Sequence, residues 1–102
     1  MGQRIHTRYP LKARVRLSWD DEQGTPRINF GETLDISTRG MAFQLQDSIP
    51  LRTYVSFEVK AIRLQGSGSV RFARRKGLRH IVGIEFSGNA RWDPNKNPLP
   101  ES

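Results

Sequence analysis

Apolar and polar residues alternate along most of the 102-residue chain, and helical periodicity is nearly absent. The clearest case is the segment 13–19, where apolar residues hold every odd position and polar residues every even one. A period of two is typical of a β-strand with one face buried and the other in water. Because similar short segments recur between turn-forming residues, the chain is predicted to be all-β.

The alternation predicts six strands. In chain order they are about 12–19, a segment from Ile28 to Ile36, Met41 to Leu45, Val55 to Val59, about 62–73 and about 79–86. The shared parity of the apolar residues predicts that Ile28, Phe30 and Leu34 face inward with Ile36 in the second strand, with Glu32 as the single exception. It likewise predicts that Phe72 faces inward with Val70 in the fifth.

Six short strands in one small domain favour an antiparallel β-barrel over a sandwich, because closing the sheet removes its exposed edges. We divide the chain into a flexible N-terminal arm (1–11), the barrel (12–87) and an extended or disordered Pro-rich C-terminal tail (88–102). Within the tail, Trp92 is expected to pack on its own domain, a partner surface being the alternative.

The composition favours anionic partners. The formal charge is +7, and two stretches, Met1 to Arg16 and Arg71 to Arg79, each hold five basic residues and no acid. The simpler interpretation is that these lysines and arginines only keep the outer faces of the strands in contact with water. There is no cysteine, hence no disulfide or thiolate metal site, and no apolar run long enough to span a membrane. A cytoplasmic protein without membrane insertion is predicted.

Two short motifs stand apart from the alternation. Arg4 and Arg8 lie four residues apart in the arm, and the segment Asp35 to Gly40, with sequence DISTRG, joins the second and third strands in a tight hairpin. Gly40 is expected to supply a positive φ or a close backbone approach. Taken alone, neither motif is specific, since arginines are common here and Asp-x-Ser-x-x-Gly is a natural turn.

Taken together, the motifs resemble those of the PilZ family of cyclic di-GMP receptors. That family carries RxxxR before the first strand of a six-stranded barrel of the split-barrel type and [D/N]xSxxG at the second hairpin. Arg4 and Arg8 match the first motif, and Asp35, Ser37 and Gly40 match the second. The segment Val82 to Phe86 is similar to the end of the family's last strand.

The resemblance implies a ligand site with no other cofactor. Arg4 and Arg8 would grip phosphates and guanine edges, and Asp35 would accept hydrogen bonds from guanine N1–H and N2–H. Ser37 would add a hydroxyl contact, and Arg39, where a second glycine is frequent, either binds phosphate or stays solvated. Because Gln3 precedes Arg4 where relatives often have a basic residue, one or two ligands per chain remain possible.

Three other functions are less well supported by the residues. The two histidines, His6 and His80, form no metal-ligand or nucleophile–base pattern, so an enzyme is not predicted. Nonspecific binding of single-stranded nucleic acid is the stronger alternative, but Phe43, Phe57 and Phe72 share the core parity and leave no evident stacking platform. A degenerate receptor acting only as an adaptor is disfavoured by both motifs.

We expect ligand binding to be relayed through the N-terminal arm. The arm would become ordered when the ligand binds, and an effector protein or domain would then recognise it.

Overall fold

Seven β-strands form one sheet that closes on itself in the computed structural model, which describes residues 7–88 and 90–100. The strands are β1 (Tyr9–Pro10), β2 (Arg14–Asp20), β3 (Pro26–Ile36), β4 (Gly40–Leu45), β5 (Tyr54–Val59), β6 (Leu64–Lys76) and β7 (Arg79–Phe86). A 3₁₀ turn at Lys60–Ile62 is the only helical element in the described ranges.

The barrel consists of β2 to β7. Its strand order is β3-β2-β5-β6-β7-β4, and β4 returns to pair with β3, so that every neighbouring pair is antiparallel. The short strand β1 lies outside this ring and pairs with the end of β3. The predicted all-β, six-stranded antiparallel barrel is therefore confirmed, with one added outside strand.

Apolar side chains fill the interior. The fully buried ones are Val15, Leu17, Ile36, Met41, Phe43, Leu45, Ile49, Val55, Val59, Ile62, Val70 and Val82. One buried polar side chain holds the chain between β1 and β2: the Thr33 hydroxyl donates to the Leu11 carbonyl at 2.7 Å and accepts from the Ala13 amide at 2.9 Å. The N-terminal segment is thereby fixed along β3 next to the predicted ligand motif.

The inward orientation predicted for Ile28 and Phe30 is wrong. Their side chains are 64% and 45% exposed. Leu34 is an extra residue in β3, because Thr33 pairs with Phe43 and Asp35 pairs with the next residue, Ala42. A β-bulge of this kind reverses which parity faces the core, so the even positions point outward before Leu34 and inward after it.

The same correction applies to Phe72, which is 43% exposed. Here Arg71 is the extra residue, since Val70 pairs with Ile84 and Phe72 pairs with Gly83. Val70 is buried as predicted, but the bulge turns Phe72 to the outer surface. Because alternation alone carries no sign of an inserted residue, parity gives the wrong face on one side of each bulge.

The acidic loop between β2 and β3 is organised by one carboxylate. Asp21 accepts hydrogen bonds from the amides of Gln23 and Thr25 and from the Arg27 guanidinium. The bond from the Thr25 amide is the main cause of the lowered pKa of Asp21. These contacts give Asp21 a structural role in its loop.

The tail returns to the barrel at Trp92. Its side chain is 2% exposed, and its indole N–H donates to the Asn97 carbonyl at 2.8 Å. The Asn97 side chain in turn donates to the carbonyls of Ile62 and Arg63. Trp92 therefore packs on its own domain, as predicted, whereas the division into arm, barrel and tail stays a prediction.

Candidate functional site

Strand β1 carries the arm to the DISTRG hairpin. Tyr9 pairs with Ile36 and Pro10 pairs with Asp35, so the residue just before β1 lies beside the end of β3. There the Arg8 guanidinium donates through Nε to Oδ1 of Asp35 at 3.1 Å, and both side chains are partly exposed. One residue from each predicted motif thus meets the other on the outer surface.

The bulge in β3 determines which way Asp35 points. If Leu34 took a regular place in the strand and there were no bulge, Asp35 would share the inward parity of buried Thr33. With the bulge, the carboxylate lies on the solvent side, and the next residue, Ile36, enters the core. An exposed carboxylate remains free to exchange one hydrogen-bond donor for another.

The hairpin backbone closes around Ser37. Its amide donates to the Gly40 carbonyl at 2.9 Å, and its hydroxyl, which is buried, lies 3.4 Å from that carbonyl and accepts from the Arg39 amide at 3.3 Å. In this arrangement the Ser37 hydroxyl holds the turn itself. Its predicted contact with a base or phosphate remains a prediction.

Gly40 has the predicted close backbone approach, and not the positive φ. Its φ is not among the positive values, which in the described ranges belong to Gly24, Gly77 and Gly88 among the glycines. A Cβ at Gly40 would collide with the carbonyl oxygen of Ile84. The glycine therefore lets β4 lie close to β7, and this close pairing fixes the position of the hairpin relative to β7.

Asp35 begins a row of four residues across the outer face, which we call the outer row: Asp35, Ala42, Gly83 and Phe72. Directly paired residues of antiparallel strands point to the same face, so the four positions lie on the outer side of the sheet; Asp35 and Phe72 are open to solvent, and Ala42 and Gly83 between them are buried. Three strand spacings separate the ends of the row, about 14 Å. The Phe72 ring lies directly on Gly83, where a Cβ would overlap it.

Two arginines lie on this part of the barrel, one in the hairpin and one on β6. The Arg39 side chain is exposed and forms no ion pair with any residue in the described ranges, while its carbonyl accepts from the Phe86 amide at 2.8 Å. Arg71, next to Phe72, pairs with Glu85 at 2.7 Å. A groove of about 650 Å³ also lies beside β1. Its lining includes Pro10, which pairs with Asp35, and Leu34, which directly precedes Asp35 in the sequence.

The predicted site residues fall into two groups. Arg8, Asp35, Ser37, Arg39 and Gly40 all lie at the β1 and β3–β4 end of the barrel. Arg4 lies outside the described residues.

Sequence reasoning missed two aromatic residues near this site. Parity assigns Phe72 to the core because the bulge before it leaves no trace in the pattern. Tyr9 packs edge-on against Trp92, with ring centroids 5.4 Å apart, and the Trp92 amide lies 3.4 Å from the Thr38 carbonyl. Tyr9 directly follows the RxxxR motif, and this aromatic residue is the sequence feature that could have indicated that the arm packs on the domain.

The closed barrel, the arm and the acidic hairpin define a PilZ domain, and the PilZ domain family model matches residues 2–91. The chain belongs to this family, whose domains are receptors for cyclic di-GMP. The match covers both motifs and all seven strands.

Among solved structures, the Bacillus subtilis inhibitor of motility (MotI/DgrA) is similar, with a TM-score of 0.72 at 15% sequence identity. The alignment covers 97% of this chain and 48% of that one, so the chain spans about half the length of that protein. At this identity the likeness shows the fold. No curated protein matched the sequence significantly. Within residues 7–88 and 90–100, no helix is long and apolar enough to cross a bilayer.

Proposed function

We propose that this chain binds cyclic di-GMP at the outer surface where Arg8 meets Asp35, using Arg4, Arg8, Asp35, Ser37, Arg39 and Gly40. The observation that carries the proposal is the 3.1 Å contact between Arg8 and Asp35, which unites the two motifs on one exposed face. Cyclic di-GMP is a dianion with two guanines, and this face offers arginines and an acceptor carboxylate.

Asp35 supplies base identity in this proposal. A carboxylate has only acceptors, and guanine presents two adjacent donors, N1–H and N2–H, on its Watson–Crick edge. Adenine presents an acceptor at N1 and cannot make this pair. Arg8 then turns from Asp35 toward phosphate oxygens or the O6 and N7 atoms of a guanine.

The exchange of partners costs little. An exposed ion pair such as Arg8–Asp35 contributes about 0–1 kcal/mol, whereas each charge-assisted hydrogen bond to the ligand contributes about 1.5–3 kcal/mol. Four or five such bonds, less the cost of ordering the arm, are compatible with micromolar affinity, about −8 kcal/mol. The pair therefore holds the two groups together without blocking the ligand.

Phe72 extends the proposed surface toward the second base. Its exposed ring lies at the far end of the outer row from Asp35, about 14 Å across the sheet. A purine stacked on an aromatic ring gains about 1–3 kcal/mol. The ring packs on Gly83 through its Cδ2, Cε2 and Cζ atoms and leaves the rest of its surface open to a base.

Titration calorimetry with cyclic di-GMP, GTP and a single-stranded oligonucleotide, each at two salt concentrations, tests the function. We expect micromolar or tighter binding of cyclic di-GMP and much weaker binding of GTP, which has a single guanine. Tight oligonucleotide binding with a steep salt dependence, and no heat with cyclic di-GMP, would establish the nucleic-acid alternative. The exposure of Phe30 and Phe72 makes that comparison necessary.

We further propose that ligand binding orders the arm and presents it to an effector protein or domain. The arm is already connected to the rest of the site, because Tyr9 packs on Trp92 and the Trp92 amide lies against the Thr38 carbonyl. A ligand that clamps Arg4 and Arg8 would therefore create a composite surface of arm, hairpin and tail.

Hydrogen exchange measures this ordering. Amides in residues 1–10 are expected to gain protection when cyclic di-GMP is added, while amides in the core strands β5 and β6 stay unchanged. Equal protection of residues 1–10 with and without bound nucleotide would rule out relay through the arm and leave the binding proposal intact.

A further inference from the structure

The ends of β6 and β7 meet in a hairpin whose β6 side and turn are exposed. We call residues Arg71–Arg79 the basic ribbon; all nine are exposed. Strand β5 pairs with β6 only as far as Ser69, and β4 pairs with β7 only as far as His80, whereas β6 and β7 continue to Lys76 and Arg79. Strand β6 therefore has no strand on its β5 side beyond Ser69, whereas β7 stays paired with β4 as far as His80, so only Lys76–Arg79 extend past both neighbouring strands.

The basic ribbon carries an unbalanced positive charge. It contains Arg71, Arg74, Arg75, Lys76 and Arg79, and no acidic residue lies anywhere between Glu58 and Glu85 in the sequence. Arg71 pairs with Glu85, but the other four cations form no ion pair with any residue in the described ranges. Four exposed cations at this turn and on the adjoining edge of β6 attract an anionic surface.

An apolar residue lies at the apex. Lys76 pairs with Arg79, so Gly77 and Leu78 form a two-residue turn, and Gly77 has a φ of 62°. Such turns normally carry small polar residues, yet Leu78 occupies the second position with 85% of its surface exposed. It is the most exposed of the large apolar side chains described.

The apolar apex distinguishes between the roles that the charge could serve. Lysines and arginines on an unpaired edge prevent strands of different molecules from pairing, which accounts for the cations of β6 and leaves Leu78 without a role. Nucleic-acid phosphates would also bind the cations, but a duplex offers little to an exposed leucine at the tip. An anionic bilayer surface uses both features, since cations bind lipid phosphates and an apolar tip enters the headgroup boundary.

We propose that the basic ribbon docks this protein on the surface of an anionic phospholipid bilayer. Leu78 enters the boundary between headgroups and acyl chains, and Arg74, Arg75, Lys76 and Arg79 contact lipid phosphates around it. The contact is peripheral and needs no spanning segment.

Cosedimentation of the full chain with vesicles tests the proposal. We expect binding to vesicles of phosphatidylcholine mixed with phosphatidylglycerol, little binding to phosphatidylcholine alone, and weakening by salt. At roughly fivefold per cation, the double variant Arg74→Gln/Lys76→Gln should lower partitioning about 25-fold. Leu78→Ser should lower it about tenfold without changing the charge.

The matched control is Lys60→Gln/Lys96→Gln, which removes the same charge at the other end of β6. Lys60 begins the 3₁₀ turn before β6, and Lys96 adjoins Asn97, which bonds to Ile62 and Arg63. This variant should bind nearly as wild type does. An equal loss in the control, no vesicle binding by the wild type, or an unchanged Leu78→Ser variant would overturn the proposal.

A duplex oligonucleotide provides the competing outcome. If the wild type binds it tightly, fails to bind the vesicles, and loses duplex binding in Arg74→Gln/Lys76→Gln, the ribbon is a nucleic-acid surface and the lipid proposal is wrong. Melting curves of all variants check that each is folded, which is expected because every substituted side chain is exposed.

Discussion

Asp35→Ala is expected to lower the affinity for cyclic di-GMP by at least about 1.5 kcal/mol, more than tenfold, while the chain remains folded. Arg8→Ala should cost about the same. Each change removes a charge-assisted hydrogen bond to the ligand, and the Arg8–Asp35 ion pair that both destroy is exposed and contributes little to stability. Calorimetric titration of wild type and both variants measures the losses directly.

The controls separate this site from the general charge of the protein. Asp20→Ala removes an exposed aspartate at the end of β2, and Arg79→Ala removes an exposed arginine in the basic ribbon. Both should bind within about twofold of wild type if long-range electrostatics is screened by salt. Arg8→Lys keeps the charge but loses the planar fork, so it should recover only part of the affinity.

The same titration examines the far end of the outer row. Phe72→Leu keeps an apolar side chain on Gly83 but removes the ring, and a loss of about 1 kcal/mol would place a guanine there. An unchanged affinity in Phe72→Leu would confine the ligand to the Asp35 end. If Asp35→Ala and Arg8→Ala also bind as wild type does, the ligand site lies elsewhere on the barrel.

The strand pattern predicted the barrel because each strand obeys period two locally. Parity assigns Val15, Leu17, Met41 and Phe43 to the interior, and all four are fully buried. Parity failed across the two bulges, where one inserted residue changes the face without changing the composition. A bulge is a property of the pairing between two strands, and a single sequence does not record that pairing.

The features of the candidate site that could be predicted are those formed by a few consecutive residues. The DISTRG hairpin and the arm arginine were visible because turn chemistry and charge are encoded within a few residues. The position of Phe72 beside Gly83 depends on the register between β6 and β7, and the contact of Tyr9 with Trp92 joins residues at opposite ends of the chain. Only the closed fold brings such distant residues together.

Both bulges act on the same face. The one at Leu34 turns Asp35 outward, and the one at Arg71 turns Phe72 outward, at the two ends of one row. A regular sheet would have directed both side chains into the barrel, where a carboxylate would lack partners. The irregularities in the strands are therefore what provides this surface with an acceptor and an aromatic ring.

Trp92→Ala is expected to destabilise the folded chain by about 3–5 kcal/mol, because it empties a large buried site and leaves Tyr9 without its ring partner. For a domain of this size each kcal/mol lowers the melting temperature by roughly 4–8 °C, so thermal denaturation should show a fall of more than about 10 °C.

Two variants determine whether the buried ring or the tail in general produces this effect. Trp92→Phe retains an aromatic ring but not the indole N–H that donates to the Asn97 carbonyl, so we expect an intermediate loss, since the smaller ring also packs less fully. Lys96→Ala changes an exposed residue of the same segment and should melt within about 0.5 kcal/mol of wild type. If Trp92→Ala melted like Lys96→Ala, the tail would add nothing to the core. The arm would then need another anchor, because Tyr9 connects β1 to the tail through Trp92.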